Sequence, residues 1–75
     1  MRRLDELPEG VTATIESIDG DDAVTLRLLE MGLVEGASIE FIAAAPLGDP
    51  LEFRVQGYHL SLRREEARRV GVSSI

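Results

Sequence analysis

The sequence predicts a mainly β domain: a small five-stranded barrel with one α-helix inserted after the first strand and a short helical turn before the last. Three observations carry this. Turn residues recur every 8–12 positions, at Pro8-Glu9-Gly10, Asp19-Gly20-Asp21, Gly32, Glu35-Gly36, Pro46-Leu47-Gly48-Asp49-Pro50, Gln56-Gly57 and Gly71, the spacing of short strands in a sandwich or barrel. Between them apolar and polar residues alternate with period two, as in strands buried on one face. With 75 residues, the chain has material for one domain, 1–75, and one thin core. Closing the sheet is the simplest way to remove its edges.

Val11, Ala13 and Ile15 alternate with Thr12, Thr14 and Glu16 to give the first strand. Ile18 falls out of phase, which places a bulge or bend just before it. Asp22 to Gly32 then reads as a helix: Asp21 or Asp22 caps its start and Gly32 is placed for a left-handed stop. Val24, Leu28 and Met31 are spaced i, i+4, i+7 and form one stripe, while Leu26 and Leu29 lie off it. Ala37, Ile39, Phe41 and Ala43 mark the second strand. The two-residue loop Gln56-Gly57 pairs Val55 with Tyr58, Phe53 with Leu60 and Leu51 with Leu62. All six apolar side chains then share one face, and a one-residue slip would send one strand's set into water. Glu52–Ser61 and Arg54–His59 pair on the other face. A helical turn follows at 64–68, with Glu65 placed to pair with Arg69 at i+4, and Val70 and Val72 form the closing strand.

Composition narrows the function classes. Fourteen acids against eight bases, all arginine, give a net charge of −6, a poor sign for binding nucleic acid or an anionic membrane. Residues 1–53 carry twelve acids and three arginines; residues 54–75 carry five arginines and two acids. The absence of cysteine removes disulfides, thiolate metal sites and a cysteine nucleophile, and a domain this small without disulfides fits the cytosol. The N-terminal residues do not read as a signal peptide, and no run of apolar residues is long enough to span a membrane.

The parts of an enzyme are missing. The single histidine, His59, is expected on the outer face opposite Arg54, without a carboxylate partner. Ser17, Ser38, Ser61, Ser73 and Ser74 lie in no nucleophile elbow, and no glycine-rich phosphate cradle is present. Asp19-Gly20-Asp21-Asp22 lacks the spacing of a calcium loop and reads as helix capping. Arg63-Arg64 and Arg68-Arg69 are interrupted by acids and have Tyr58 as their one aromatic neighbour, so they read as solvated arginines on a packed helical turn. No catalytic residue, metal ligand or cofactor is therefore predicted. A binding module remains. Its surface is expected where apolar residues stay exposed, at Leu26 and Leu29 on the helix and Leu47 in the stiff Pro46–Pro50 loop.

The ordered set Leu4-x-x-Leu-Pro-Glu-Gly10, Arg27-Leu-Leu-Glu-Met-Gly-Leu33, Gly36, Ala45-Pro-Leu-Gly-Asp-Pro50, Gly57-Tyr-x-Leu-x-Leu-Arg63 and Glu66-Ala67 resembles the FeoA family, small cytosolic proteins of bacterial ferrous iron uptake. The resemblance implies an SH3-like barrel with a helix after the first strand. It also implies a partner, the membrane ferrous iron transporter FeoB with its cytoplasmic GTP-binding domain. The expected role is then that of a non-enzymatic accessory or regulatory protein in the cytoplasm, brought to the inner membrane by its partner. Arg27, Leu28, Met31, Gly32 and Leu33 match the helix-to-strand motif, Gly48, Asp49 and Pro50 the loop, and Gly57 and Tyr58 the hairpin. Arg27 and Asp49 have no packing role visible in the sequence, so the expected contact set is Leu26, Arg27, Leu29, Leu47, Asp49 and Pro50. One surface histidine and scattered acids do not make a ferrous site, and self-association is left open. The alternative is a detached SH3-like domain of a metal-responsive transcription repressor. An arginine-inserting GTPase activator would use Arg27, but nothing indicates reach into a dry phosphate site. A proline-motif groove would need exposed aromatics, and Phe41, Phe53 and Tyr58 are all expected inward.

Overall fold

In the computed structural model, which describes residues 2–73, six strands and two short helices follow one another. They are β1 (Arg2–Arg3), β2 (Thr12–Ile18), α1 (Ala23–Glu30), β3 (Ser38–Ala44), β4 (Leu51–Val55), β5 (Tyr58–Leu62), α2 (Arg64–Ala67) and β6 (Val70–Val72), with a 3₁₀ turn at Leu4–Glu6. Met1, Ser74 and Ile75 lie outside the described residues. The strands form one antiparallel sheet in the order β1-β6-β2-β3-β4-β5. β2 holds it together: Thr12–Thr14 pair with β3, and Ile15–Ile18 pair with β6. The register shifts between Ile15 and Ser17, a bulge that accounts for the phase of Ile18 and bends β2 from one half of the sheet into the other.

Two expectations about architecture need correction. The predicted strands number five, and the sheet has six, because Arg2–Arg3 adds to β6 beyond the five. The sheet also curls without closing: among the described residues no ladder joins β5 to β1 or β6, because α2 occupies the connection between β5 and β6. The 3₁₀ turn carries Leu4 and Leu7 into the core, and Glu6 Oε1 accepts the Arg3 amide at 2.9 Å. A segment this short has no periodicity to betray it.

The core comprises Leu4, Ile15, Leu28, Leu33, Ile39, Phe53, Leu62, Val70 and Val72 with their neighbours. Phe41 is half-buried and stacks obliquely on Phe53, ring centres 5.4 Å apart. The hairpin has the expected register at all five positions. Its loop has positive φ at both Gln56 (49°) and Gly57 (91°), the geometry that matches strand twist. Tyr58, expected inward, is 49% exposed. It stands at the end of the sheet, where its hydroxyl donates to the Met31 carbonyl, just past α1, at 2.6 Å.

Candidate partner-binding surface

α1 is terminated by its own sequence at both ends. Asp22 Oδ1 accepts the Thr25 amide at 3.2 Å, the N-cap bond. At the other end Leu33 N–H donates to Leu28 O (3.1 Å) and Gly32 N–H to Leu29 O (3.0 Å). This is a Schellman stop that needs the positive φ of Gly32 (97°). Leu33 and Leu28, joined by that stop, are both fully buried. Val24 and Met31 pack against the core as the stripe predicts, and Leu26 (57%) and Leu29 (42%) face outward. Val34 and Tyr58 are also exposed apolar groups, at the C-terminal end of the same helix. Sequence reading missed both: Tyr58 because its hairpin face is apolar elsewhere, Val34 because it follows a turn.

Leu47 is 97% exposed at the tip of the 46–50 loop. Two hydrogen bonds define that loop, Gly48 N–H to Ala45 O (2.7 Å) and Ala45 N–H to Pro50 O (3.0 Å), and the Asp49–Pro50 peptide is cis. α2 bridges α1 and this loop. Glu66 forms an ion pair with Arg27 of α1 while its other oxygen accepts the Arg63 amide at 2.8 Å. The Arg64 amide donates to Asp49 Oδ1 (2.9 Å) and its Nε to Gly48 O (2.8 Å). Arg27 and Asp49, which the sequence leaves without a packing role, therefore have one each. Arg27 ties α1 to α2, and Asp49 caps α2 from a distant loop. Both remain open to solvent on one side, and Pro50 is half-buried.

The basic cluster is not a free patch. Arg64 reaches Gly48, Arg68 lies 3.6 Å from Asp5, and Arg69 forks onto Asp22 at 2.7 and 3.0 Å. The expected Glu65–Arg69 pairing thus gives way to a bidentate contact with the cap of α1. The Arg69 hydrogen bond, helped by the Thr25 amide, lowers the Asp22 pKa from 3.8 to about 2. The Thr25 hydroxyl, buried beneath this pair, donates to Asp19 O at 3.1 Å. Asp19 itself pairs with Arg3 at 2.9 Å. The Asp19 and Asp22 carboxylates are thus divided between helix capping and ion pairs. Among the described residues no group of three or more potential ligands is placed to hold a metal.

Thr12, Ser38, Glu40, Arg54, Gln56 and Gly57 line a depression of about 190 Å³. The Arg54–Glu40 ion pair (3.1 Å) lies within it. His59 stands across from Arg54, exposed, as the register requires.

The FeoA domain family model matches residues 2–74. The Fe(2+) transport protein A/Fe(2+) transporter FeoB fusion protein of Porphyromonas gingivalis is 42% identical over 73 residues, 97% of this chain and 9% of that protein. The chain thus spans about a tenth of this curated relative's length. The solution structure of FeoA protein from Chlorobium tepidum superposes with a TM-score of 0.87 at 41% identity, covering 95% of this chain and 68% of that one. The crystal structure of Stenotrophomonas maltophilia FeoA complexed with zinc, described as a prokaryotic SH3 domain protein, does so at 0.85 and 36% identity, covering 97% and 91%. A manganese-dependent transcriptional repressor shares the fold (TM-score 0.87) at 17% identity over 41% of its own chain, a likeness of fold alone.

Proposed function

The chain belongs to the FeoA family, and on that premise we propose that it is a non-enzymatic accessory of ferrous iron uptake. It acts in the cytoplasm by contact with the GTP-binding part of a FeoB-type transporter. The observation that carries this reading is the fusion: a relative 42% identical to this chain is continuous with a FeoB polypeptide. Two modules joined in one chain are held at high effective concentration, as suits modules that work in contact. Among the described residues no helix is long and apolar enough to cross a membrane.

The docking surface runs from α1 across α2 to the 46–50 loop. Leu26, Leu29 and Leu47 bury apolar area against the partner. Pro50 sets the loop, and Arg27 and Asp49 present their solvent-facing sides while holding α2 in place. The test is titration of the isolated GTP-binding domain of a FeoB-type transporter with the wild-type chain and with Leu26→Asp. We expect saturable binding, weakened at least about tenfold by the carboxylate, since placing a charge in an apolar contact costs more than about 1.4 kcal/mol. Absence of binding by the folded wild type, or full affinity in the variant, overturns the reading.

A further inference from the structure

β5 is the last strand of the sheet. In a hairpin closed by a two-residue loop, the residues flanking the loop exchange both backbone hydrogen bonds, and the pattern alternates from there. Tyr58, Leu60 and Leu62 therefore turn their N–H and C=O groups toward β4, and His59 and Ser61 turn theirs outward. Among the described residues no strand takes up those outward groups. The Arg64–Asp49 hydrogen bond continues the pairing on the β4 side, leaving the outer edge open, with Tyr58, His59 and Ser61 exposed along it. Sheet edges are ordinarily protected by charge, proline or a covering element. Tyr58-His59-Leu60-Ser61-Leu62 carries no lysine, arginine, acid or proline, in a chain with a net charge of −6.

We propose that this edge is a dimerisation surface, on which β5 of a second copy of the chain adds antiparallel about a two-fold axis through Leu60. The occupant is argued from charge and face. In this register His59 exchanges both backbone bonds with Ser61 of the second copy, and Ser61 with its His59, four hydrogen bonds in all. The buried-side rows continue in kind: Phe53–Leu60 meets Leu60–Phe53 of the second copy, and Val55–Tyr58 meets Leu62–Leu51. On the outer face each row reads Arg54, His59, then Ser61 and Glu52 of the second copy, basic at one end and acidic at the other. Arg63 stands opposite Gly57, so no like charges meet. Moving the axis to Ser61 places Arg63 against His59, and moving it to His59 sets the imidazoles against each other. The Leu60 register is the one that avoids both. A single edge pairing buries less than a standard interface, so the dimer is weak and concentration-dependent.

The experiment is sedimentation equilibrium of the full chain together with a concentration series of amide NMR spectra. The expected result is a monomer–dimer equilibrium with shift changes confined to residues 57–63. Ser61→Pro removes an outward donor that the β4 ladder does not use and weakens the dimer about tenfold. His59→Glu with Ser61→Lys in one chain puts opposite charges together twice across the axis and tightens it about fivefold. Inside each chain the first change sets a carboxylate beside Arg54 and the second an ammonium beside Glu52. The double variant therefore keeps its fold, and the test survives a misfolded proline variant. A chain monomeric up to about 1 mM overturns the proposal. So do shift changes centred on α1 and a double variant that dimerises no better than wild type.

Discussion

The two helices are closed by different means. α1 carries its own stops, Asp22 before it and Gly32 after it. α2, four residues long, carries one local cap, Glu66 on the Arg63 amide, and is otherwise held from outside. Asp49 takes its first amide, Gly48 takes the Arg64 guanidinium, and Arg27 of α1 takes Glu66. Helices this short do not persist alone in water. α1 gains from a buried stripe and coded ends, whereas α2 adds to its single local cap the contacts that other elements make with its termini. One helix therefore owes more to its local sequence and the other more to the completed fold.

The contrast is sharpest at Gly32. A methyl group there would be forced into a left-handed conformation and would overlap the Tyr58 hydroxyl, which caps the carbonyl of Met31. Gly32→Ala is expected to cost about 3 kcal/mol, from backbone strain and loss of that hydrogen bond. Tyr58→Phe alone costs about 1 kcal/mol. In the Tyr58→Phe background Gly32→Ala then costs less than in wild type, a coupling that urea unfolding of the four chains measures. Equal costs in both backgrounds would show that the hydroxyl is no obstacle and that the stop of α1 is purely local.

Asp49→Ala tests the opposite property in α2. Loss of a single cap is expected to cost about 1 kcal/mol, and Asp49→Asn, which retains an acceptor, restores most of it. The readout is amide exchange: protection should fall at 64–68 and stay unchanged in α1. Protection lost evenly across the chain would mean that α2 is not separately anchored.

This difference also explains what the sequence discloses. The β4–β5 register is legible residue by residue, because two neighbouring strands and a two-residue loop leave one arrangement that keeps Phe53 and Leu60 on the same side. The α1 caps are legible because they adjoin the helix. Leu26, Leu29 and Leu47 are legible as exposed candidates because they fall off a stripe or lie in a loop, and all three are exposed. The roles of Arg27 and Asp49 are not legible. Their partners, Glu66 and the Arg64 amide, lie 39 and 15 positions away, and no local pattern encodes a contact across that distance. The inward face predicted for Tyr58 fails for a related reason: alternation assigns a side of the strand and does not say where the core ends. β1 and the 3₁₀ turn are too short to show a period.

The smallest effect is expected where the cap of α1 meets the segment after α2 through charge, at Asp22 and Arg69. Folding holds the Asp22 carboxyl at about 2 against an ordinary 3.8, first through the Arg69 hydrogen bond and then through the Thr25 amide. Between those values the unfolded chain takes up a proton that the folded chain does not. The pair's contribution is thus present above about 3.8 and lost as pH falls through about 2. Asp22→Asn keeps an acceptor for the Thr25 amide and removes the charge. Urea midpoints measured across that acid window should fall less steeply for the variant than for wild type. The pair is open to water, so added salt should narrow the gap between them. Identical slopes would mean that Arg69 merely covers the cap of α1. The direct charge contact between the two helices, Arg27–Glu66, would be unaffected.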